Sequence, residues 1–431
     1  MARRPEDHHR WRGAAVRGRW RWGAFRPWRA PGAPVVVATR TFAPEPTAAA
    51  LRLGAFAAAL AERGNDVLVL TSRTAPGARE GAPRPRRPSP APGGRVRVRR
   101  APVLRDATGA VRGYIPYLSF DAPLLVRLLA CPRPALVVCE PPPTTGAAVR
   151  LACAARGVPY VYYAADIVSD AARAGGAPRP VVAGVRALER FALGGAERVI
   201  AVSAGVAERA RGLGAERVAV VPNGVDCSRP PFPCPLPEGF PSGEGPVFVY
   251  AGTVAPWLAP GVFVDALRLA APRLPGARLV FLGQGSGWEA LRERARGVEG
   301  VSFHAPVGAD EAHAWLAAAT ASLASLRPGG YSYAYPTKIL SSLAAGTPVV
   351  YAGEGEAARD VASADLGAAV GLDAAAVAGA MAAVAERAAE GGWDRLRLWR
   401  GSASTARPSA APGARRSRPW GPTALPVDIY P

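Results

Sequence analysis

The chain has 431 residues, 49% of them hydrophobic, which suits two α/β domains better than a single hydrophobic core. No run reaches the roughly 18 apolar residues that a membrane span needs, and the first residues lack the apolar core of a signal peptide, so we expect a cytoplasmic protein. A net charge of +20 would ordinarily suggest a nucleic-acid partner. The bias toward Arg, Ala, Gly and Pro is typical of GC-rich coding, however, and we predict no specific nucleic-acid partner.

The first part of the chain predicts a Rossmann-like domain over residues 34–226. Residues 1–33 form an Arg/Trp-rich extension without a helical or strand period, and we predict that they are disordered. Regular structure begins with the apolar strand Pro34–Thr39, an amphipathic helix, and the buried strand Asp66–Ser72. This order is typical of a βαβ unit with parallel strands.

Strands and helices keep alternating to the end of this domain. The further strands that we predict are Ala135–Glu140, Pro159–Asp166, Arg198–Ser203 and Arg217–Asp226. Thr144 or Thr145 is expected to cap the helix after the first of them. Residues 227–245 are rich in Pro, Gly, Ser and Cys without a period, which indicates a linker.

A second Rossmann-like domain is predicted over residues 246–398, followed by a disordered tail, 399–431. Its predicted strands are Val247–Gly252, Ala277–Gly285, Val301–Val307, Ala321–Leu326 and Thr347–Gly353. Two consecutive parallel-sheet domains imply a cleft between them. Since open α/β sheets bind ligands outside the carboxyl ends of their strands, we look for functional residues there.

The segment YPTKILSSLAAGTPVV carries the sharpest chemical signal. Pro336 and Thr337 suit a helix start, which points free N–H groups and the positive end of the helix dipole at the cleft. Lys338, the only lysine in the chain, lies in the first turn, where the dipole favours an acidic residue instead. A bound phosphate would account for an ammonium there, and we favour that interpretation over a surface lysine.

Glycines at two strand ends give weaker signals. Gly252 ends one strand, so that backbone can approach a ligand closely, and Gly283 and Gly285 precede a helix. No acidic residue follows at the spacing of the dinucleotide-binding fingerprint. A tight structural turn explains these glycines equally well.

Together these segments resemble glycosyltransferase family 4. The resemblance covers about residues 34–395 and is carried by PEPTAAALRLGAFAAALAERGNDVLVLT, ERVIAVSAGVAERARGLGAERVAVVPNGVD, FVYAGTV, RLVFLGQG and PTKILSSLAAGTPVV, in that order. It implies the GT-B fold, in which two Rossmann-like domains face each other across a cleft. It also implies transfer of a sugar from a nucleotide diphosphate sugar to an acceptor hydroxyl, in most members with retention and without a metal or other cofactor.

The resemblance also implies where the donor would bind in the second domain. Gly252, Thr253, Gly283 and Gly285 would border the nucleotide, and Val307 would lie near the base.

Other implied contacts come from both sides of the cleft. Thr337 and Lys338 would face the diphosphate, while the loop with Pro46 and Thr47 would close over it from the first domain. Asp166 would lie near the transferred sugar or the acceptor, although a helix cap or turn explains it equally well.

Several positions depart from the family pattern. The usual pair of glutamates is replaced by Tyr333 and Ser341, of which Ser341 can still hydrogen-bond a ribose hydroxyl. The histidine usual before Asp166 is Ala165, and the closing helix is expected to be absent after Trp399. These departures leave open a catalytically inactive partner subunit.

Two further alternatives concern partners. An Arg-rich polyanion-binding protein would account for the charge, and a lipid-linked acceptor would be compatible with peripheral contact at the inner face of the membrane. The four histidines, none of them between Pro34 and Pro241, exclude a His-based triad or a His-ligated zinc site in that stretch. The resemblance implies a front-face transfer in which the leaving phosphate oxygen can accept the acceptor's proton, and the scarcity of histidine accords with that mechanism.

Overall fold

The computed structural model describes residues 33–45, 47–74, 94–106, 111, 113–225 and 235–405. Most of both predicted tails, part of the predicted linker and Pro46 lie outside these described residues. Residues 235–246 contain neither a helix nor a strand.

The first domain is built on a parallel sheet of seven strands in the order β3-β2-β1-β4-β5-β6-β7. The strands are β1 Val35–Ala38, β2 Val67–Ser72, β3 Val96–Ala101, β4 Leu136–Cys139, β5 Tyr160–Ala164, β6 Arg198–Ala201 and β7 Val218–Val220. The helices are α1 Ala48–Glu62, α2 Tyr114–Ala130, α3 Pro143–Arg156, α4 Val168–Ala174, α5 Arg179–Gly194 and α6 Ala204–Gly212.

The second domain has a six-stranded parallel sheet in the order β10-β9-β8-β11-β12-β13. Its strands are β8 Val247–Ala251, β9 Arg278–Leu282, β10 Val301–His304, β11 Ala321–Ser325, β12 Val349–Ala352 and β13 Gly367–Val370. Its helices are α7 Gly261–Ala270, α8 Trp288–Arg294, α9 Ala309–Ala318, α10 Thr337–Ala344, α11 Glu356–Ser363, α12 Ala374–Ala389 and α13 Arg395–Thr405.

Both sheets are doubly wound, as the alternating pattern predicted. The central strands β1, β2, β8 and β12 are buried along their whole length or nearly so, because helices cover both faces of each sheet. The strand order reverses direction between β1 and β4 and again between β8 and β11. At such switch points the loops diverge and leave a crevice, so each domain offers a binding edge at the carboxyl ends of its strands.

Three local features differ from the sequence-based expectations. Helix α3 begins at Pro143 with no side-chain cap, so the expected capping by Thr144 or Thr145 is wrong. Thr145 instead donates a 2.6 Å hydrogen bond to the buried carboxylate of Asp121. Regular structure also continues past Trp399, because α13 runs to Thr405 and packs against α10.

Helix α2 was not predicted, because Pro123 interrupts its sequence pattern. No helix among the described residues is long and apolar enough to cross a membrane.

The two domains meet through α4 and the loop that precedes α10. Ala171 and Ala174 of α4 pack against the apolar cluster of the second domain that includes Leu326 and Ile339. In the opposite direction, Tyr333 packs against the core of the first domain. This reciprocal packing sets the position of the two binding edges relative to each other.

Candidate functional site

Lys338 lies where three parts of the second domain converge. Helix α10 begins at Thr337, one residue before it, as the sequence predicted. Its Nζ donates a 3.3 Å hydrogen bond to the carbonyl oxygen of Thr253 and lies 4.8 Å from the centre of the Tyr250 ring. A Cβ atom at Gly252 would come within 3.1 Å of the same nitrogen, so the glycine lets the ammonium approach the end of β8.

The Lys338 ammonium has no ionic partner within the described part of the chain. It forms no ion pair there, and its hydrogen-bond acceptor is a backbone carbonyl. Burial lowers the pKa of Lys338 to about 8. The side chain remains partly accessible to solvent, as expected at the floor of a cleft. A half-buried cation without a counter-charge favours the binding of an anion.

Close backbone packing explains the glycines of the neighbouring loop. A Cβ atom at Gly283 would overlap the carbonyl oxygen of Gly252, and one at Gly285 would overlap that of Val254. The loops after β8 and β9 are also joined by a 2.9 Å hydrogen bond from Val254 N to Gln284 O. Close backbone contacts therefore explain why positions 283 and 285 are glycines. Gly252 and Thr253 remain exposed beside Lys338.

On the opposite side of the cleft, Asp166 follows β5 and is held by the second domain. The Tyr331 hydroxyl donates a 2.5 Å hydrogen bond to Asp166 Oδ1. Asp166 is still accessible to solvent, and its other oxygen accepts no hydrogen bond from the described residues. Burial raises the pKa of Asp166, while the hydrogen bond from Tyr331 opposes that rise. The free oxygen is available to a ligand.

A charged cluster behind Asp166 organises the binding edge of the first domain. Glu140, directly after β4, accepts hydrogen bonds from Thr39 Oγ1 at 2.6 Å and from Arg52 Nη2 at 3.0 Å. Thr39 directly follows β1, so this contact bridges the switch point between β1 and β4. Electrostatic interaction with Arg52 lowers the pKa of Asp166, and interaction with Glu140 raises it.

A second bridge between the domains lies one helical turn further on. Tyr333 Oη donates a 2.9 Å hydrogen bond to Asp170 Oδ2, and Arg209 donates to both oxygens of Asp170 at 2.7 Å. Burial would raise the pKa of Asp170, but the hydrogen bonds from Arg209 and Tyr333 lower it below the ordinary value. The Tyr333 side chain also lies against Gly205, where a Cβ atom would come within 2.5 Å of Tyr333 Cβ. Tyr333, at a position where the resemblance expects a glutamate, therefore joins the domains.

The other predicted site residues are placed as follows. Thr47 is the N-cap of α1, and its hydroxyl accepts a 3.1 Å hydrogen bond from Ala50 N. Ser341 donates to the carbonyl of Thr337 within α10 at 3.3 Å. Val307, after β10, packs partly buried against the core. Pro46 lies outside the described residues. Of the predicted site residues, the structure brings Lys338, Thr253 and Gly252 together. Asp166 lies on the opposite side of the cleft.

Sequence reasoning missed Tyr331, Arg52 and Glu140. The signal for Tyr331 was the run YSYAYP, three tyrosines directly before the lysine segment. The signal for Glu140 was an acidic residue at the end of an apolar strand. Arg52 gave no signal, because arginines are abundant throughout the chain.

No group of three or more His, Cys, Asp or Glu side chains among the described residues is arranged to hold a metal ion.

Family models of known proteins match both domains of the chain. The family model Glycosyltransferase Family 4 matches residues 49–229, and the model Glycosyl transferases group 1 matches residues 245–387. These matches cover most of both domains, although β1 precedes the first of them. No curated protein sequence matches the chain.

Solved structures share the fold at low sequence identity. Sucrose-phosphate synthase from Thermosynechococcus elongatus has a TM-score of 0.61 at 16% identity, covering 86% of this chain and 93% of that one. WaaG, a glycosyltransferase involved in lipopolysaccharide biosynthesis, has a TM-score of 0.59 at 16% identity, covering 86% of this chain and 95% of that one. HepE of Anabaena, in complex with UDP-glucose, has a TM-score of 0.54 at 17% identity, covering 86% of this chain and 99% of that one. The two parallel-sheet domains and these structures show the GT-B fold, and the two family models, which together span most of the chain, show that it is a glycosyltransferase of the family 4 type.

Proposed function

We propose that this glycosyltransferase uses a nucleotide diphosphate sugar as donor, bound in the second domain, and transfers the sugar to an acceptor hydroxyl held near Asp166. The observation that carries the proposal is the Lys338 ammonium, which lies beside the first turn of α10 and the exposed turn at Gly252 without a carboxylate partner among the described residues. A diphosphate would supply the missing counter-charge. It would also accept hydrogen bonds from the free N–H groups of the helix start.

The structural relatives support the donor class. HepE has been solved with UDP-glucose, and the fold and domain order of this chain match it over 86% of the length. Val307, after β10, is our candidate for a contact with the base of the nucleotide.

In the proposed reaction, the bond between the sugar carbon and the donor phosphate oxygen breaks, and a bond from that carbon to the acceptor oxygen forms. The acceptor's proton passes to the leaving phosphate oxygen, so transfer occurs with retention and needs no separate protein base. Lys338 and the start of α10 stabilise the charge that develops on the leaving diphosphate. The free oxygen of Asp166 accepts a hydrogen bond from a neighbouring hydroxyl of the acceptor and so aligns the reacting hydroxyl, whose own proton stays directed at the leaving phosphate oxygen. In this scheme the protein supplies the positive charge, and we propose that no metal or other cofactor is required.

We also propose a cytoplasmic location. The three cysteines that the structure describes, Cys131, Cys139 and Cys153, are buried free thiols. Unpaired thiols are typical of reducing compartments, where nucleotide sugars are also available.

A ligand screen followed by turnover measurements tests the proposal. A nucleotide diphosphate sugar that binds should raise the melting temperature of the full chain. Lys338→Ala should then lower turnover with that donor about a hundredfold or more, because one charge-stabilising donor is lost. Arg296→Ala, which removes an exposed cation whose ion pair within the described part of the chain is with Glu293, serves as control and should leave turnover unchanged. Near-normal turnover in Lys338→Ala would contradict the assigned role, and tight binding without turnover in the unaltered protein would favour the inactive-subunit alternative.

A further inference from the structure

The outward face of α2 is apolar along its whole length. The large side chains on this face that are exposed to solvent are Tyr114 (69%), Ile115 (69%), Leu118 (67%), Val126 (63%) and Leu129 (45%). The opposite face carries Phe120, Leu124 and Leu128, which are buried in the domain core. The helix is therefore apolar both toward the protein and toward solvent, whereas an ordinary surface helix has a polar outer face.

The two charged residues of α2 do not make its outer face polar. Asp121 is buried and accepts a hydrogen bond from Thr145. The Arg127 guanidinium is turned toward the sheet, where it donates to the carbonyl oxygens of Arg99 at 2.7 Å and Thr71 at 3.4 Å. No carboxylate of α2 is therefore presented on the exposed face.

The apolar face continues onto the segment after β3 and is bordered by arginines. The Leu104 backbone N–H donates a 2.9 Å hydrogen bond to Ser119 Oγ, which places the exposed Leu104 side chain beside the first half of α2. The edge strand β3 then exposes Arg97 and Arg99 on either side of Val98. Arg97 has only a long contact of 3.8 Å with Asp66. An apolar strip thus lies next to a basic rim.

We propose that this surface, α2 together with Leu104 and the Arg97–Arg99 edge, docks the protein onto an anionic lipid surface. A helix with an apolar face lies in the plane of the headgroup region, with its large side chains reaching the acyl boundary. Neighbouring arginines extend their guanidinium groups to lipid phosphates and add electrostatic attraction. The basic rim argues for an anionic surface rather than for a second copy of this strongly basic chain, whose own rim would be repelled.

The position of α2 gives the docking a functional direction. The Arg40 guanidinium lies 4.3 Å from the centre of the Tyr117 ring, and Arg40 follows β1 at the binding edge of the first domain. The first turns of α2 therefore lie near the side of the cleft on which Asp166 is found. On the proposed function, docking would present this acceptor side to lipid, although the docking itself does not depend on sugar transfer.

Vesicle flotation of the full chain tests the apolar part of the surface. The protein should bind vesicles of phosphatidylcholine with phosphatidylglycerol more tightly than vesicles of phosphatidylcholine alone. Ile115→Gln with Leu118→Gln should lower the partition coefficient by about tenfold or more, since two large apolar contacts are lost without a change in charge. The matched control, Leu236→Gln with Leu269→Gln, alters two leucines that are equally exposed elsewhere and should leave binding unchanged.

The basic rim has its own variant pair. Arg97→Gln with Arg99→Gln should remove most of the preference for anionic vesicles, whereas Arg273→Gln with Arg296→Gln, exposed arginines of the second domain, should not. Unchanged melting temperatures would show that the variants fold. Absence of vesicle binding, or binding that the α2 variant does not weaken, would overturn the proposal. So would a dimer in sedimentation that dissociates in the α2 variant, because the face would then be covered by a second copy.

Discussion

The hydroxyl of Tyr331 donates a 2.5 Å hydrogen bond to Oδ1 of Asp166 and so joins the second domain to the first at the candidate site itself. Tyr333 makes the equivalent contact with Asp170 one helical turn away. Lys338 follows in the same segment of the chain. The loop that carries both tyrosines therefore fixes the distance between the lone ammonium on one side of the cleft and the available carboxylate oxygen on the other.

Replacing Tyr331 with phenylalanine should change the pH profile of turnover. Burial raises the pKa of Asp166 and the hydrogen bond from Tyr331 lowers it, so removal of that hydrogen bond raises the pKa further. Arg52, Glu140 and Tyr333 also act on this carboxylate and are left in place. Asp166 would then stay protonated to higher pH, and the acid limb of kcat/KM should move to higher pH than in the unaltered protein.

Tyr333→Phe is the matched control for this variant. It removes the same hydroxyl from the same loop, but Asp170 keeps both hydrogen bonds from Arg209. The acid limb should stay in place. An equal shift in both variants would show that loosening of the loop, and not the contact with Asp166, causes the effect.

Gly205→Ala should destabilise the contact between the domains. The added methyl group would lie 2.5 Å from Tyr333 Cβ, too close for any real contact, and we expect a loss of about 1–3 kcal/mol in the free energy of unfolding. Gly184→Ala, inside α5 with no atom near the new methyl group, should instead stabilise by about 0.5–1 kcal/mol. Urea denaturation measures both, and equal effects would contradict the packing described for Tyr333.

Gly285→Ala should abolish donor binding by displacing the loop after β8. The methyl group would overlap the carbonyl oxygen of Val254, which is backbone and cannot rotate away. At Gly287 the nearest atom is a Val254 side-chain carbon at 3.2 Å, so Gly287→Ala should retain most of the affinity. Calorimetric titration of the donor, with circular dichroism to check folding, distinguishes the two. Full affinity for the donor in Gly285→Ala would show that this loop does not contribute to the donor site.

Lys338→Met should stabilise the ligand-free protein at neutral pH. Burial lowers the pKa of Lys338 from 10.5 to about 8, so the folded state disfavours the charged form. The resulting destabilisation of the folded state is fully present below pH 8 and disappears as the pH rises toward 10.5. At pH 7 we expect the variant to be more stable by about 1 kcal/mol or more, with the difference vanishing near pH 10.5. A variant that is less stable at pH 7 would show that the ammonium has a counter-charge in the folded protein.

The fold was predictable because its signals are local. Apolar strands such as Asp66–Ser72 stand out from their surroundings, and the helix start at Thr337 follows from the proline before it. The capping of α3 was mispredicted because Thr145 is used by Asp121 on another helix, a tertiary contact that no local pattern shows.

The candidate site was predictable only on the side where one residue type is unique. Lys338 stood out as the lone lysine, whereas Arg52 is one of many arginines and gains its place through the contact with Glu140, far along the chain. Tyr333 shows a further limit. It stands where the resemblance expects a glutamate, but its hydroxyl is held by Asp170 of the other domain, and only the three-dimensional structure reveals that pairing.

The most direct test of the account is the pH dependence of nucleoside diphosphate affinity in the full chain, measured by calorimetry from pH 7 to 9.5 with the diphosphate that binds best. If the diphosphate rests against the Lys338 ammonium, affinity should fall by about tenfold or more as the pH rises through 8, with proton uptake on binding near that pH, because the deprotonated amine offers no charge. In Lys338→Met the affinity should be low and nearly independent of pH. The same pH dependence in both proteins would contradict the assignment of the diphosphate to Lys338.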